Sequence, residues 1–462
     1  MADEPHPANL LADHGDRAAH EPAGDAIPRR RMALLFTVML VSAAGNTAMQ
    51  SVMPSIGTAL GVADVWISLA YTWSALLWMI CAPIWARRSD RRGRKAMMAL
   101  GLIGFSVSMG LCGATLWLGL AGLLPAVWTL VLFAAFRSLY GGFGSAAPPA
   151  VQAYVASRTQ RSERTEALSL IASSFGLGTV IGPALAPLLV VPGLGLTGPF
   201  IAFALFGVVN LIALRVLLPN DEPQFAARGA AYTAPFGTSA PGDQQQDTGD
   251  DDPLAVRTQS ALPKPIRAFG WHDPRLRPWV ISGLLGSHAQ AIVIGIAGFL
   301  VLDRLGLRQD PAAGAGPVGV VLMAGAFATL LAQWGVIPRL HLGPRAALLG
   351  GAGLAALGTV LLGFAQDLHG IALGYAIASL GFGLFRPGFT AGASLAVTRA
   401  EQGEVSGIVT SVAGASYVFA PAAGVWLYGH SDGLVFVTVI LLCALAFVNG
   451  WHRLALDSTT QR

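Results

Sequence analysis

Charge is scarce in this chain. Only 12% of its 462 residues are Asp, Glu, Lys or Arg, whereas a soluble globular chain carries about 25%. Cysteine is scarcer still. Cys81, Cys112 and Cys443 all sit in apolar stretches, without metal-ligand spacing or a pairing framework, and read as small packing residues. Carboxylates are missing from the interior of every long apolar stretch. His6, His14 and His20 are too scattered to form a metal site. No nucleophile–base pair, ligand cluster or phosphate-binding loop is visible, so the sequence gives no sign of an enzyme, a metal or a cofactor. The formal charge of +4 comes without a basic face or a binding motif, which argues against nucleic acid as a partner.

What the chain has instead is apolar length, with 54% hydrophobic residues. Runs of roughly 20 such residues recur, long enough to cross about 30 Å of hydrocarbon as a helix. Backbone in lipid must satisfy its own hydrogen bonds, and runs this long exclude barrel strands of about ten residues. They fall at roughly 33–54, 65–86, 96–117, 128–155, 166–190 and 197–218, then at roughly 278–302, 314–337, 346–365, 370–394, 405–428 and 433–453. The predicted fold is an all-α membrane protein, twelve transmembrane helices in two six-helix bundles. Residues 1–31 read as a disordered cytoplasmic tail ending in Arg29-Arg30-Arg31, and 32–218 as the first bundle. Residues 219–276, with Gln244 to Gln246 and Asp250 to Asp252, are too polar to bury a core and read as a flexible cytoplasmic linker. Residues 277–455 form the second bundle, and 456–462 a short cytoplasmic tail.

Basic residues fix the predicted orientation. With the N-terminus inside, the inner short loops hold Arg87, Arg88, Arg91, Arg92, Arg94, Lys95, Arg158, Arg161, Arg164, Arg339, Arg345 and Arg399, and the outer ones only Arg304 and Arg308. Both termini are therefore expected in the cytoplasm of a cell whose inner membrane holds the chain. The halves also repeat. An offset of 238 pairs Glu166 with Glu404, Ser173 with Ser411, Gly176 with Gly414, Pro183 with Pro421 and Pro149 with Pro387, as a duplicated six-helix unit would.

Four sets of residues stand out. The loop after the second segment holds Asp90, Arg91, Gly93, Arg94 and Lys95. An acid there can accept from a helix N-terminus and arginines can pair with carboxylates, which suits a breakable gate; a plain positive-inside loop explains it equally. In the fifth segment, Gly178, Gly182 and Pro183 allow close helix approach and a kink, by themselves no more than a packing device. Arg137, near Tyr140, and Arg386 lie deep in apolar segments. Such a charge costs roughly 2.5 kcal/mol or more unless it faces a wet cavity or a partner; snorkelling, or for Arg386 the capping of carbonyls freed near Pro387, is the plainer reading. Asn46 and Gln50 share a helical face, and His288 and Gln290 sit at similar depth in the seventh segment. They suit a midplane substrate or proton pathway, or ordinary interhelical hydrogen bonds, and a satisfied core histidine is the plainer reading of His288.

The loop resembles the signature of the major facilitator superfamily, Gly-x-x-x-Asp-Arg-x-Gly-Arg-Arg/Lys, with Ala86 in place of its first glycine. A degenerate second copy runs from Gly335 through Arg339 and Gly343 to Arg345, without the acid. Gly-x-x-x-Gly-Pro at 178–183 is similar to the helix-five motif of the family's drug:proton antiporters, though Ala186 and Pro187 replace its closing glycines. Arg137 resembles the helix-four arginine implicated there in proton coupling, with Tyr140 replacing a glutamine. The resemblance implies a secondary transporter working by alternating access as a monomer. The implied activity is proton-coupled export of a small lipophilic or weakly acidic molecule, of multidrug or tetracycline efflux type. Two alternatives are an exporter of a specific natural product such as a siderophore, and a metabolite importer. A non-transporting membrane sensor is the alternative of another class. With no acid inside a segment, coupling would use a helix-end carboxylate, His288 or the substrate's own charge.

Overall fold

A computed structural model describes residues 27–159, 164–219, 272–397 and 402–457. The linker and both tails expected from the sequence lie almost wholly outside the described residues. Among those described there is no strand. There are twelve long helices: α1 (Arg29–Ala59), α2 (Asp64–Arg92), α3 (Arg94–Leu120), α4 (Ala126–Ala156), α5 (Arg164–Leu185), α6 (Gly198–Leu217), α7 (Arg277–Arg304), α8 (Pro311–Leu340), α9 (Pro344–Phe364), α10 (Leu368–Leu395), α11 (Gln402–His430) and α12 (Asp432–Arg453). Eleven are long and apolar enough to cross a membrane; the apolar part of α5 is shorter, Leu170–Leu185.

Proline explains where these helices depart from the sequence pattern. The fifth run is expected to reach residue 190, but α5 stops at Leu185 and gives way to a tight turn at Pro187–Leu189. Pro187 has no N–H to continue the ladder. A similar tightening interrupts α4 at Gly144–Ala146, just before Pro148 and Pro149. In α8 the helix widens to a π-turn over Leu331–Val336 before Pro338. The first helix starts at Arg29, inside the expected tail, so the basic triplet forms its first turn.

The chain crosses back and forth, so Arg29 and Arg453 lie at one end of the bundle, here the tail end, and the α1–α2 turn lies at the distal end. The repeat read in the sequence is a packing repeat. The two helices paired by the 238 offset, α5 and α11, each lie along the first helix of their own half, α1 and α7. Across the seam α5 meets α8 while α11 meets α2, and α1 meets α7 and α8. The α5–α8 and α11–α2 pairs are related by a two-fold exchange of the halves. Exposed tryptophans mark both ends, Trp66 and Trp128 distally and Trp334 and Trp451 at the tail end, where ring and water can both be accommodated.

The buried apolar side chains divide unevenly between the ends. One continuous core fills the distal half of the bundle and draws on both halves, from Met49, Val52 and Ile56 of α1 to Ile296, Leu300 and Val318 of α7 and α8. At the tail end the described residues form two cores. One belongs to the first half, around Leu35, Met98, Tyr154 and Leu214. The other belongs to the second half, around Trp279, Leu348, Phe389 and Ala446. The halves thus join distally and keep separate cores at the tail end.

Candidate functional site

A buried charged group lies in the first half. Arg137 of α4 is 3% exposed. Its Nη2 donates to Oδ1 of buried Asn46 on α1, and its guanidinium lies 4.2 Å from the Tyr140 ring centroid and 5.9 Å from that of Tyr71 on α2. Tyr140 is one turn below Arg137 and faces the cation with its ring, an electrostatic contact strengthened by exclusion of water. Trp78 packs on Tyr140 at 5.0 Å and Phe105 at 5.9 Å. Ser74 Oγ donates to the Arg137 carbonyl at 3.2 Å, tying α2 to α4. Gln50, one turn along α1 from Asn46, is half-buried.

A second group lies in the other half. His288 Nδ1 of α7 is 2.7 Å from the Leu284 carbonyl and 2.9 Å from Ser416 Oγ on α11. A carbonyl only accepts, so Nδ1 is the donor to Leu284. Arg386 of α10 is within electrostatic reach of Tyr417 on α11. Gln290, two residues beyond His288, projects from a different face of α7 and does not join it. Of the predicted pathway residues, Asn46, Arg137 and Tyr140 come together in the first half, while in the second His288 and Arg386 each reach α11 separately, at Ser416 and Tyr417.

The glycines of α5 pack as their spacing predicts. A side chain at Gly178 would fall on the α1 backbone at Leu40 and Ala44, and one at Gly182 on Thr47, Ala44 and Ala48. Pro183 turns its carbonyl toward Gly319 of α8, across the seam. The motif therefore fixes α1 to α5 and supplies part of the distal joint. Gly298 of α7 makes a similar close approach, to Pro54 of α1.

At the tail end, Gly93 joins α2 to α3 at φ 88°, a conformation that favours glycine. Arg94 donates to Ser157 Oγ at the end of α4. Lys95 Nζ donates to the Arg215 carbonyl at 3.0 Å and to that of Leu218, closing the end of α6. These contacts stay within the first half, so here both side chains brace their own bundle. The side chains of Asp90 and Arg91 lie outside the described residues. The second, degenerate copy gains an acid from elsewhere: Asp457 accepts from the Arg345 and Ala346 amides at 2.9 Å each. It caps α9, and Gly343 leaves it the room to do so.

The charged contact that crosses the seam was not among the residues singled out by the sequence. Arg308, in the turn after α7, donates to both oxygens of Asp64 at the start of α2, at 2.8 and 2.7 Å, and to Thr58 Oγ1 at the end of α1 at 3.1 Å. It also holds Asp303 of its own half at 2.7 and 3.1 Å, and Tyr428 donates to that carboxylate at 2.9 Å. Bonding foremost to Asp64, and then to Asp303, keeps the Arg308 guanidinium protonated well above its usual range. Nearby, Arg304 pairs with Asp432 at 2.7 Å. Arg308 and Asp64 are 244 residues apart, so no local pattern announces the pair.

Comparison with known proteins places this architecture. The family model described as Major Facilitator Superfamily matches residues 35–341. The chain is 32% identical over 169 residues to a multi-drug resistance efflux pump PmrA homolog of Lactococcus lactis, covering 36% of this chain and 38% of that relative. It is 24% identical over 403 residues to the class C tetracycline resistance protein of Escherichia coli, covering 82% and 86% of the two chains. Among solved structures, the inward open xylose transporter XylE from E. coli superposes with a TM-score of 0.65 at 14% identity, covering 93% and 97% of the chains. With the family model, the twelve-helix fold and the two-fold exchange of helix contacts in agreement, this chain belongs to the Major Facilitator Superfamily, whose members are transporters and not enzymes.

Proposed function

We propose that the protein is a proton-coupled exporter of a small lipophilic or weakly acidic molecule, working by alternating access as a monomer in the inner membrane. The observation that carries this reading is the uneven seam: one shared core distally, separate cores at the tail end. A carrier caught with one gate closed has this form. The excess of basic residues in the tail-end loops puts both termini in the cytoplasm, so the state described here opens inward and is closed outward at Arg308. Efflux is favoured by the α5 glycine–proline motif and by the names of the relatives. Asp90, Arg91, Gly93, Arg94 and Lys95 serve the tail-end gate, and Asn46, Gln50, Arg137, Tyr140, His288, Gln290 and Arg386 the substrate and proton pathway. No Asp or Glu lies inside a described span away from its ends, and His288, which joins α7 to Ser416 of α11, is assigned the coupling proton.

Purified protein in liposomes, under an imposed pH gradient and against a panel of drugs and metabolites, tests this. Gradient-dependent flux that is lost in His288→Gln is the expected result. Absence of gradient-dependent flux for every compound would remove the antiporter reading.

A further inference from the structure

The environment of Arg137 is rich in donors and contains no formal negative charge. Two of its guanidinium nitrogens, Nε and Nη1, are buried without a hydrogen-bond partner, and so are the Tyr71 hydroxyl and Trp78 Nε1. Arg137 lies close enough to Tyr71, Tyr140 and Cys112 to act on each electrostatically, and Trp78 stacks on Tyr140. The one described side-chain acceptor on the cation is the neutral Asn46 amide. The helix carboxylates whose side chains are described, Asp64, Asp303 and Asp432, are at the distal ends. A buried cation with unused N–H groups and no ion-pair partner is costly, and a neutral amide with two rings offsets only part of that cost.

We propose that the substrate supplies the negative charge: the site takes an aromatic organic anion, a carboxylate or sulfonate. Its anionic group is held by Arg137 between α1, α2 and α4, and its ring packs among Tyr71, Trp78 and Tyr140. The rings suit an aromatic body, since stacked or edge-on pairs add to area burial, and the donors suit oxygens with several lone pairs. Access is from the tail end, because α1 and α2 both border the seam and the halves have separate cores there. This deepens the transport reading above and rests on it for the direction of movement, but not for binding itself.

The test is binding of 1-naphthoate and its neutral isostere 1-naphthamide to the full chain in lipid nanodiscs, followed by tryptophan fluorescence and calorimetry. Naphthoate should bind about tenfold tighter or more, the ratio expected when a hydrogen-bonded charge is matched. Arg137→Gln should bring the ratio to about one while naphthamide affinity stays, and Arg137→Lys should restore part of the preference, as one charge without the planar fork would. Equal affinities in the wild type, or a preference that survives Arg137→Gln, would overturn the proposal. Should Arg137→Gln fail to fold, the wild-type ratio still decides. Gradient-driven flux of a neutral dye without any naphthoate preference would remove this site alone, whereas a clear preference without flux of any compound would remove the transport reading alone.

Discussion

The two ends of the bundle are built from the same twelve helices and behave as opposites. Distally, α1, α2, α5, α7 and α8 share one core, glycines allow close approach across the seam, Gly298 to the Pro54 ring and Gly319 to the Pro183 carbonyl, and Arg308 clasps Asp64 and Thr58 of the other half. At the tail end, the described charged contacts of Arg94, Lys95 and Arg345 each stay within their own half. Among the described residues, these tail-end contacts brace a single bundle, whereas the distal Arg308 joins two. A carrier needs its closed gate to be breakable, and the distal joint meets this with a partner kept in reserve. Arg308 also holds Asp303 in its own half, a partner within reach if the pair with Asp64 breaks.

The comparison can be broken most severely at Gly182. Gly182→Leu would drive a side chain into Thr47 and the α1 backbone, and overpacking of this kind costs about 1–3 kcal/mol or more. A large loss of folded protein in size-exclusion and melting measurements is expected, while Gly407→Leu, toward the tail end of α11 where nothing stands within 4 Å, should leave both unchanged. Next in size is the latch. Arg308→Ala or Asp64→Asn should move the balance toward the distally open state by about tenfold, or about 1.4 kcal/mol, read as faster labelling of a cysteine placed at Ser55. The raised ionisation of Arg308 gives this latch a sign with pH. Its stabilisation is fully present below the ordinary arginine pKa and is lost only as pH rises through the raised value, so distal opening, read as a spin-label distance between Leu123 and Phe364, should be the same at pH 8 and pH 10. The smallest effect is expected at Asp457→Asn. Losing the charge of a helix cap costs about 1 kcal/mol, which should lower the melting temperature by a few degrees and leave distal labelling unchanged.

How far each feature could be read in the sequence follows from its range. The helices were legible because a backbone in lipid has few options. Helix ends were less so: α5 stops early because of Pro187, and α1 starts at Arg29. Gly178 and Gly182 were legible as a close-packing face because the spacing itself sets the geometry, although the partner, α1, was not. Arg137 stood out as a charge in an apolar run, and Asn46 as a polar group at matching depth, but their bond spans 91 residues and no spacing encodes it. Tyr71 and Trp78 carry no charge or spacing that sets them apart in the sequence. Arg308 looked like one of two stray outer charges, and Asp457 like part of a polar tail; each has meaning only through a partner far away in the chain.

The central claim is that opening one end closes the other. Spin-label pairs at Leu123 and Phe364 distally, and at Val216 and Leu395 at the tail end, all exposed positions, report it directly in a background lacking the three native cysteines. In Arg308→Ala the account predicts that the distal distance lengthens while the tail-end distance shortens. Movement of both distances in the same direction, or of one without the other, would contradict it.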